Sequence, residues 1–277
     1  MASDASAADA ADGKIDIIGH VMDAGHLEVP FINAHHILDG RIELPQFEPI
    51  FGIDLSITRH VVVMWVASAL LIALLVSCFR KPGLVPGGLA NFFEAIILFI
   101  RDEVVQPVMG DHGRPFLPFF LTLFFFILFL NLLGLIPYSA TATGNVSVTA
   151  ALALITFAIT QVVGIANNGP LGYAKSLVPS GMPVWLLPIM VPIEVLGMLV
   201  KPFALCIRLF ANMIAGHVAI LVFLAMIIMF KSYFLAPVSV VFAAAIYLFE
   251  IFIAFVQAFI FTLLSALFIN MAAHPDH

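Results

Sequence analysis

Arg208 is the residue whose chemistry fits its surroundings least. It lies inside the apolar stretch from Pro202 to His217. An arginine keeps its charge in proteins, so burial cannot neutralise it as burial can neutralise a lysine or a carboxylate. At the centre of a bilayer this fixed charge costs at least about 2.5 to 3.5 kcal/mol on insertion scales. A charge kept at that cost faces a partner, a cavity or an ion path, and we predict that Arg208 lies on a proton path.

Other polar residues recur at helical spacing around Arg208. Glu194, Lys201 and Arg208 are seven residues apart, nearly two helical turns, so they fall close to one helix face. Asn212 follows Arg208 by four residues and shares that face. His217 lies about 13.5 Å beyond Arg208 along the axis, roughly on the opposite face. The segment therefore predicts a ladder of polar groups across the membrane, with the permanent cation in its middle.

The last apolar segment adds two polar residues on one face. Glu250 and Gln257 are also seven residues apart. A short connection around residues 231–237 predicts an antiparallel hairpin in which His217 and Glu250 can meet. A carboxylate beside an imidazole can exchange protons, because either group can titrate near neutral pH in such a setting. The spacing predicts two titratable clusters at different depths, separated by Arg208.

The composition around these residues is that of a membrane protein. Of 277 residues, 62% are apolar and only 10% are charged, which excludes a soluble domain of this length. The net charge of −6 comes mainly from residues 1–55, for which we expect a partly disordered acidic segment outside the membrane. Residues 56–277 are predicted to form a single transmembrane domain. The sequence carries no nucleic-acid-binding signature and no metal or cofactor motif.

Five apolar segments are long enough to cross a hydrocarbon core of about 30 Å. They are Val61–Phe79, Phe119–Ile136, Ser147–Ala166, Trp185 to about Phe230, and Ala236–Ala273. The last two exceed one perpendicular span, which predicts long tilted or kinked helices. Residues 91–105 are typical of an amphipathic helix at the interface, and residues 167–172 of a loop. The predicted fold is an all-α membrane protein of five transmembrane helices and one interfacial helix, ending in an antiparallel hairpin.

At its polar positions the chain resembles subunit a of the F-type ATP synthase. The motifs that carry the resemblance are Glu194, Lys201-Pro202, Arg208-Leu-Phe-Ala-Asn212-Met, Ala215-Gly216, Gln257-Ala-Phe-Ile-Phe261, Pro118-Phe-Phe-Leu-Thr, Asn131-Leu and Asn145-Val-Ser-Val-Thr. The likeness covers most of the chain and is weakest over residues 1–55. Many bacterial members have glutamate where this chain has His217 and histidine where it has Glu250. The exchange keeps one acid and one imidazole, which argues that the two matter as a pair.

The resemblance implies a proton-conducting stator subunit in a bacterial inner membrane, with no catalytic chemistry or cofactor of its own. Its implied partners are a rotating c-subunit ring, b-type peripheral-stalk subunits and the rest of the synthase, which handles ATP. Arg208 would lie between two half-channels. Asn212, His217, Glu250 and Gln257 would line the outer half-channel and Glu194 the inner one, with Lys201 and Asn131 in supporting roles. Basic residues in the loops place the N-terminus outside and the C-terminus in the cytoplasm.

Two other function classes compete with this interpretation. A stand-alone secondary transporter or ion channel would predict inverted repeats and paired broken helices, and an intramembrane enzyme would need a catalytic pair; the sequence has neither. Lys201 can equally well extend to the inner interface and only orient its helix. Asn131 is better explained by packing or loop support than by a place on the path. His274 lies outside the apolar spans and is expected to be solvated.

Overall fold

Long helices dominate the chain in the computed structural model, which describes residues 26–28, 41–43, 58–80, 88–136, 141–176, 186–230 and 235–274. Near the N-terminus, strands β1 (His26–Glu28) and β2 (Arg41–Glu43) pair antiparallel, with Leu27 opposite Ile42. The sequence patterns do not predict this strand pair. Apart from these two strands, residues 1–55, expected to be a partly disordered segment, lie outside the described residues.

The helices follow in chain order. They are α1 (Arg59–Phe79), α2 (Leu89–Phe99), a π-helical turn (Ile100–Val105), α3 (Gln106–Met109), a 3₁₀ segment (Gly110–Phe116), α4 (Leu117–Gly134), a 3₁₀ turn (Ala142–Gly144), α5 (Val146–Ser176), α6 (Leu187–Phe230) and α7 (Leu235–Ala273). Within the described residues, five helical stretches are long and apolar enough to cross a membrane, which confirms the predicted all-α membrane fold. The second stretch, Leu89–Gly134, includes the amphipathic segment, whose place at the interface stays a prediction.

Helix α5 runs further than the sequence predicts. Two helical pieces meet at Gly169, whose φ of 71° and ψ of 162° are readily adopted only by glycine. Pro170 then suits the first turn of the second piece, where its missing N–H is not needed. The Asn168 side chain donates hydrogen bonds of 3.0 Å to the carbonyl oxygens of Gly164 and Ala272. The loop predicted at residues 167–172 is therefore wrong, because Gly169 alone leaves the helical conformation.

The chain divides into two compact units that alternate along the sequence. The first unit comprises Met1–Ala69, Phe129–Asn145 and Phe210–Ala254, and the second comprises Leu70–Leu128, Val146–Leu209 and Phe255–His277. The single transmembrane domain predicted for residues 56–277 stays a prediction.

Helices α6 and α7 contact each other within each unit. In the first unit, Phe223 stacks on Phe242 with ring centroids 5.6 Å apart. In the second unit, the Lys201 ammonium lies 5.5 Å from the centroid of the Phe268 ring. Within the first unit, Gly216 meets Glu250 and the later residue Phe223 meets the earlier residue Phe242, which confirms the predicted hairpin, whereas its tilt stays a prediction.

Phenylalanine rings hold the second unit together where α2 and α4 meet α7. Phe99 contacts Phe255 and Phe259 at centroid distances of 6.4 and 5.6 Å. Phe124 meets Phe255 edge-on at 5.6 Å. Such aromatic pairs are worth about 0.5–1.5 kcal/mol each beyond the area they bury. They fix the stretch of α7 that carries Gln257.

Candidate functional site

Arg208 projects from an exposed face of α6. Ala204, Ala211 and Ala215 are also exposed. They lie four residues before, three residues after and seven residues after Arg208, so helical periodicity places them on the same face. Arg208 forms no hydrogen bond or ion pair with any residue that the structure describes. The helix thus presents a permanent cation, flanked by small side chains, on the outside of the chain.

Two amides lie near the level of Arg208. Asn212 is exposed and follows Arg208 by four residues on α6. Gln257 on α7 is only 3% exposed. In the second unit, the pairing of Lys201 with Phe268 puts Arg208 level with Phe261, about one helical turn beyond Gln257. The hairpin therefore brings the predicted Arg208 and Gln257 to a similar depth.

In the first unit, the Glu250 carboxyl group packs against Gly216. Glu250 is 7% exposed, and a Cβ atom added at Gly216 would overlap Glu250 Oε1 and lie 2.6 Å from its Cδ. His217 is the next residue on α6, but no hydrogen bond or ion pair joins it to Glu250. Both His217 Nδ1 and Glu250 Oε2 are buried without a hydrogen-bond partner among the described residues. The predicted pair are therefore neighbours through Gly216 and do not bond directly.

Further buried polar atoms of the first unit lack hydrogen-bond partners within the described ranges. They are Asn131 Oδ1, Thr143 Oγ1 and Ser239 Oγ, in addition to the atoms of His217 and Glu250. Native proteins satisfy such groups with protein atoms or ordered water, because leaving one unmet costs about 1–3 kcal/mol. The Asn131 amide does donate to the carbonyl oxygen of Ala254 at 3.4 Å, which supports the packing role expected of it. This interior suits water and protons better than a sealed apolar core would.

The second unit contains a cavity of about 240 Å³ lined by polar and apolar side chains of α5, α6 and α7. Glu194 and Lys201 both line it, so these two predicted residues come together. Across from them, the Tyr173 hydroxyl donates to Gln161 Oε1 at 2.9 Å. His274, which the sequence placed in solvent, is exposed and also lines the cavity. On α6 the described lining ends at Leu205, before Arg208.

Several of these polar residues were not predicted from the sequence. Thr156, Thr160 and Gln161 lie within the apolar third span and line the cavity. Thr156 and Thr160 are four residues apart and so lie near one helix face, a signal that could have identified them, whereas Gln161 lies about 100° further round the helix. Tyr173 gave no such signal, because its part in the cavity depends on the bend at Gly169.

Comparison with known proteins gives one consistent result. The sequence profile described as ATP synthase A chain matches residues 61–270. ATP synthase subunit a of Chloroherpeton thalassium is 48% identical over 272 residues, covering 95% of this chain and 78% of that protein. ATP synthase subunit a of Myxococcus xanthus is 53% identical over 234 residues, covering 81% and 77%.

Proposed function

Because the chain belongs to the ATP synthase A chain family, we propose that Arg208 lies between two half-channels and faces a moving carboxylate of a partner subunit, which it holds in the ionised form. The chain is an integral membrane protein and a proton-translocating stator subunit of the membrane sector of an F-type ATP synthase. The competing interpretation, a stand-alone transporter or channel, finds no support in this family membership.

The observation that carries the proposal is that Arg208 is exposed and has no partner among the described residues. A permanent cation on a membrane-spanning helix needs an anion, and the described part of the chain supplies none. A carboxylate about 4 Å away would recover about 4 kcal/mol at an effective dielectric constant of 20, which matches the insertion cost of the arginine. The partner therefore brings an acidic group to this face. A c-subunit ring, which carries one carboxylate per subunit past the stator, fits that requirement.

The small residues around Arg208 support the same partner. Alanines at 204, 211 and 215 leave room for another helix to approach closely, as small residues do in membrane helix packing. A helix at that distance could deliver its carboxyl group to the guanidinium directly. Arg208 would hold the carboxylate ionised as it passes and, as a fixed cation, block direct proton flow between the two sides.

The outer half-channel runs through the first unit in this proposal. Its buried polar atoms that have no partner among the described residues, those of His217 and Glu250 foremost, would be hydrated and would pass protons by hydrogen-bond exchange. As the family resemblance implies, Asn212 and Gln257 would belong to the same half-channel. Asn131 would hold the wall of the path through its bond to α7.

The inner half-channel corresponds to the cavity of the second unit. Glu194 would accept and release protons there, and the linked hydroxyl and amide of Tyr173 and Gln161 would organise water beside it. Lys201 lies over the Phe268 ring, so its charge is stabilised by a cation–π contact. That contact favours an orienting role for Lys201 over proton transfer.

The remaining assignments extend the same proposal. The chain would act without catalytic chemistry of its own, in a bacterial plasma membrane, with its N-terminus outside and its C-terminus in the cytoplasm. Stalk subunits of the b type would hold it against rotation, while ATP is made elsewhere in the complex.

The test is ATP-driven acidification of inverted membrane vesicles that carry Arg208→Ala. We expect pumping to be lost while the complex stays assembled in the same membranes. Arg101→Ala is the matched control, because Arg101 is an exposed arginine that already pairs with Asp102 at 2.7 Å, and it should pump normally. Wild-type pumping by an assembled Arg208→Ala complex would refute the proposal.

A further inference from the structure

Two histidines from distant parts of the chain meet in the second unit. His112 belongs to the 3₁₀ segment Gly110–Phe116, and His274 directly follows α7. Their ring centroids are 5.2 Å apart and the ring planes are inclined by 66°. Both side chains are exposed, so neither ring is held there by a hydrophobic core. The proton path proposed above does not use this pair.

The separation of the rings suits a shared metal ion. Zn–N bonds of about 2.0–2.1 Å put the metal about 3.2 Å from each ring centre, so two rings at a tetrahedral angle have centroids about 5.2 Å apart. The observed centroid distance is 5.2 Å. The side-chain torsion χ2 of histidine has a broad distribution, and both rings are exposed. A nitrogen atom of each ring can therefore turn toward the same point.

We propose that the His112–His274 pair binds one divalent transition-metal cation of the zinc class, and that the bound cation controls proton exchange through the cavity of the second unit. Neutral imidazole is a ligand that zinc, copper and nickel ions prefer, whereas magnesium and calcium prefer oxygen. The proposed site therefore selects this class of metal.

The surroundings of the pair predict a reversible site. Asp111 is the nearest acidic residue in sequence, but its carboxylate pairs with Arg114 at 3.1 Å, and both side chains are 81% exposed. The described residues contain no group of three or more metal-binding side chains. Two protein ligands would leave the other coordination positions to water. Structural zinc sites instead use four protein ligands, so this metal should exchange with the solution.

His274 connects the metal site to the proton path. It lines the same cavity as Glu194, Lys201 and Tyr173. A bound cation at this rim would place a double positive charge beside the cavity and hold one of its lining side chains in place. Both effects oppose the passage of protons. This regulatory part of the inference rests on the proposed function, whereas metal binding by the pair does not.

The first test measures binding directly, on the purified complete synthase with Zn²⁺ as the probe. Equilibrium dialysis should show that His112→Gln/His274→Gln binds one zinc ion fewer per complex than the wild type does. Each single variant should weaken binding at that site at least about tenfold, since even outer-shell partners of metal ligands are worth that much. His277→Gln is the control, because it removes a neighbouring histidine of the sequence but neither member of the pair. Equal zinc binding by the wild type and the double variant would overturn the proposal.

The second test measures passive proton flow through the same complexes in liposomes, with zinc present on both sides. Zinc should slow the wild type and His277→Gln, and a chelator should reverse the effect. In the double variant the half-inhibitory zinc concentration should rise at least about tenfold. If the double variant no longer binds zinc at the pair but is still inhibited at the wild-type zinc concentration, the regulatory role is overturned. Failure of the proposed function would give a different result. An Arg208→Ala complex would still pump, and the His112–His274 pair would still bind zinc.

Discussion

Replacement of Gly216 by alanine tests the arrangement of the outer path most directly. The Glu250 carboxyl group occupies the space that a side chain at position 216 would need, since an added Cβ would overlap Oε1 and lie 2.6 Å from Cδ and 2.9 Å from Cγ. The obstructing atoms are the far end of a flexible side chain. We therefore expect Glu250 to move while the two helices keep their places.

The effects on folding and on proton flow should differ in size. Overpacking costs about 1–3 kcal/mol, and alanine in a helix recovers about 1 kcal/mol relative to glycine. The net loss is at most about 2 kcal/mol, small enough for assembly. A carboxyl group displaced by more than about 1 Å, however, can cost a proton-transfer step as much as 100-fold. We predict that Gly216→Ala assembles but conducts protons at least about tenfold more slowly.

The assay is passive proton conduction by reconstituted complexes, with assembly measured in the same preparation. Gly197→Ala is the matched control, because Gly197 lies in the same helix and nothing stands within 4 Å of a Cβ added there. That variant should conduct like the wild type.

A second substitution shows whether the clash is the cause. Glu250→Asp shortens the acid by one methylene, so it should restore part of the conduction when combined with Gly216→Ala. The reasoning is refuted if Gly216→Ala conducts as well as Gly197→Ala, because the position of the Glu250 carboxyl group would then not matter.

Three further predictions concern other parts of the structure. Tyr173→Phe removes the 2.9 Å hydrogen bond to Gln161. It should lower thermal stability by about 0.5–1.5 kcal/mol and slow ATP-driven pumping several-fold. Unchanged pumping would show that Tyr173 is not part of the inner path. Gly169→Ala should destabilise the protein by about 1–3 kcal/mol because φ is 71° there. Gly172→Ala, in regular helix, is the control and should not destabilise it. Equal melting temperatures of the two variants would contradict the strain argument. Asn131→Ala removes a buried amide and its bond to α7, so we expect a loss of about 1–3 kcal/mol in thermal unfolding, and a wild-type melting temperature would rule out the packing role.

Local spacing predicted much of the fold because helices of this length depend on local patterns. Runs of apolar residues located the five spans, and the short connection after Phe230 predicted the hairpin that Phe223 and Phe242 form. The same reasoning failed at residues 167–172, where asparagine, glycine and proline are typical of a loop. There the helix continues because Gly169 alone takes up the bend.

The sequence by itself determined that this is a membrane protein with a permanent cation on one of its spanning helices, since composition, hydropathy and the chemistry of arginine are properties of the residues alone. It also determined that Glu194, Lys201 and Arg208 lie near one face, because helical periodicity is local. Only the tertiary structure decided that Arg208 lacks a partner among the described residues, that Glu250 packs on Gly216, and that His112 meets His274. The two contacts join residues far apart in sequence. Like the lack of a partner for Arg208 among the described residues, they depend on which side chains the packing of the helices brings together.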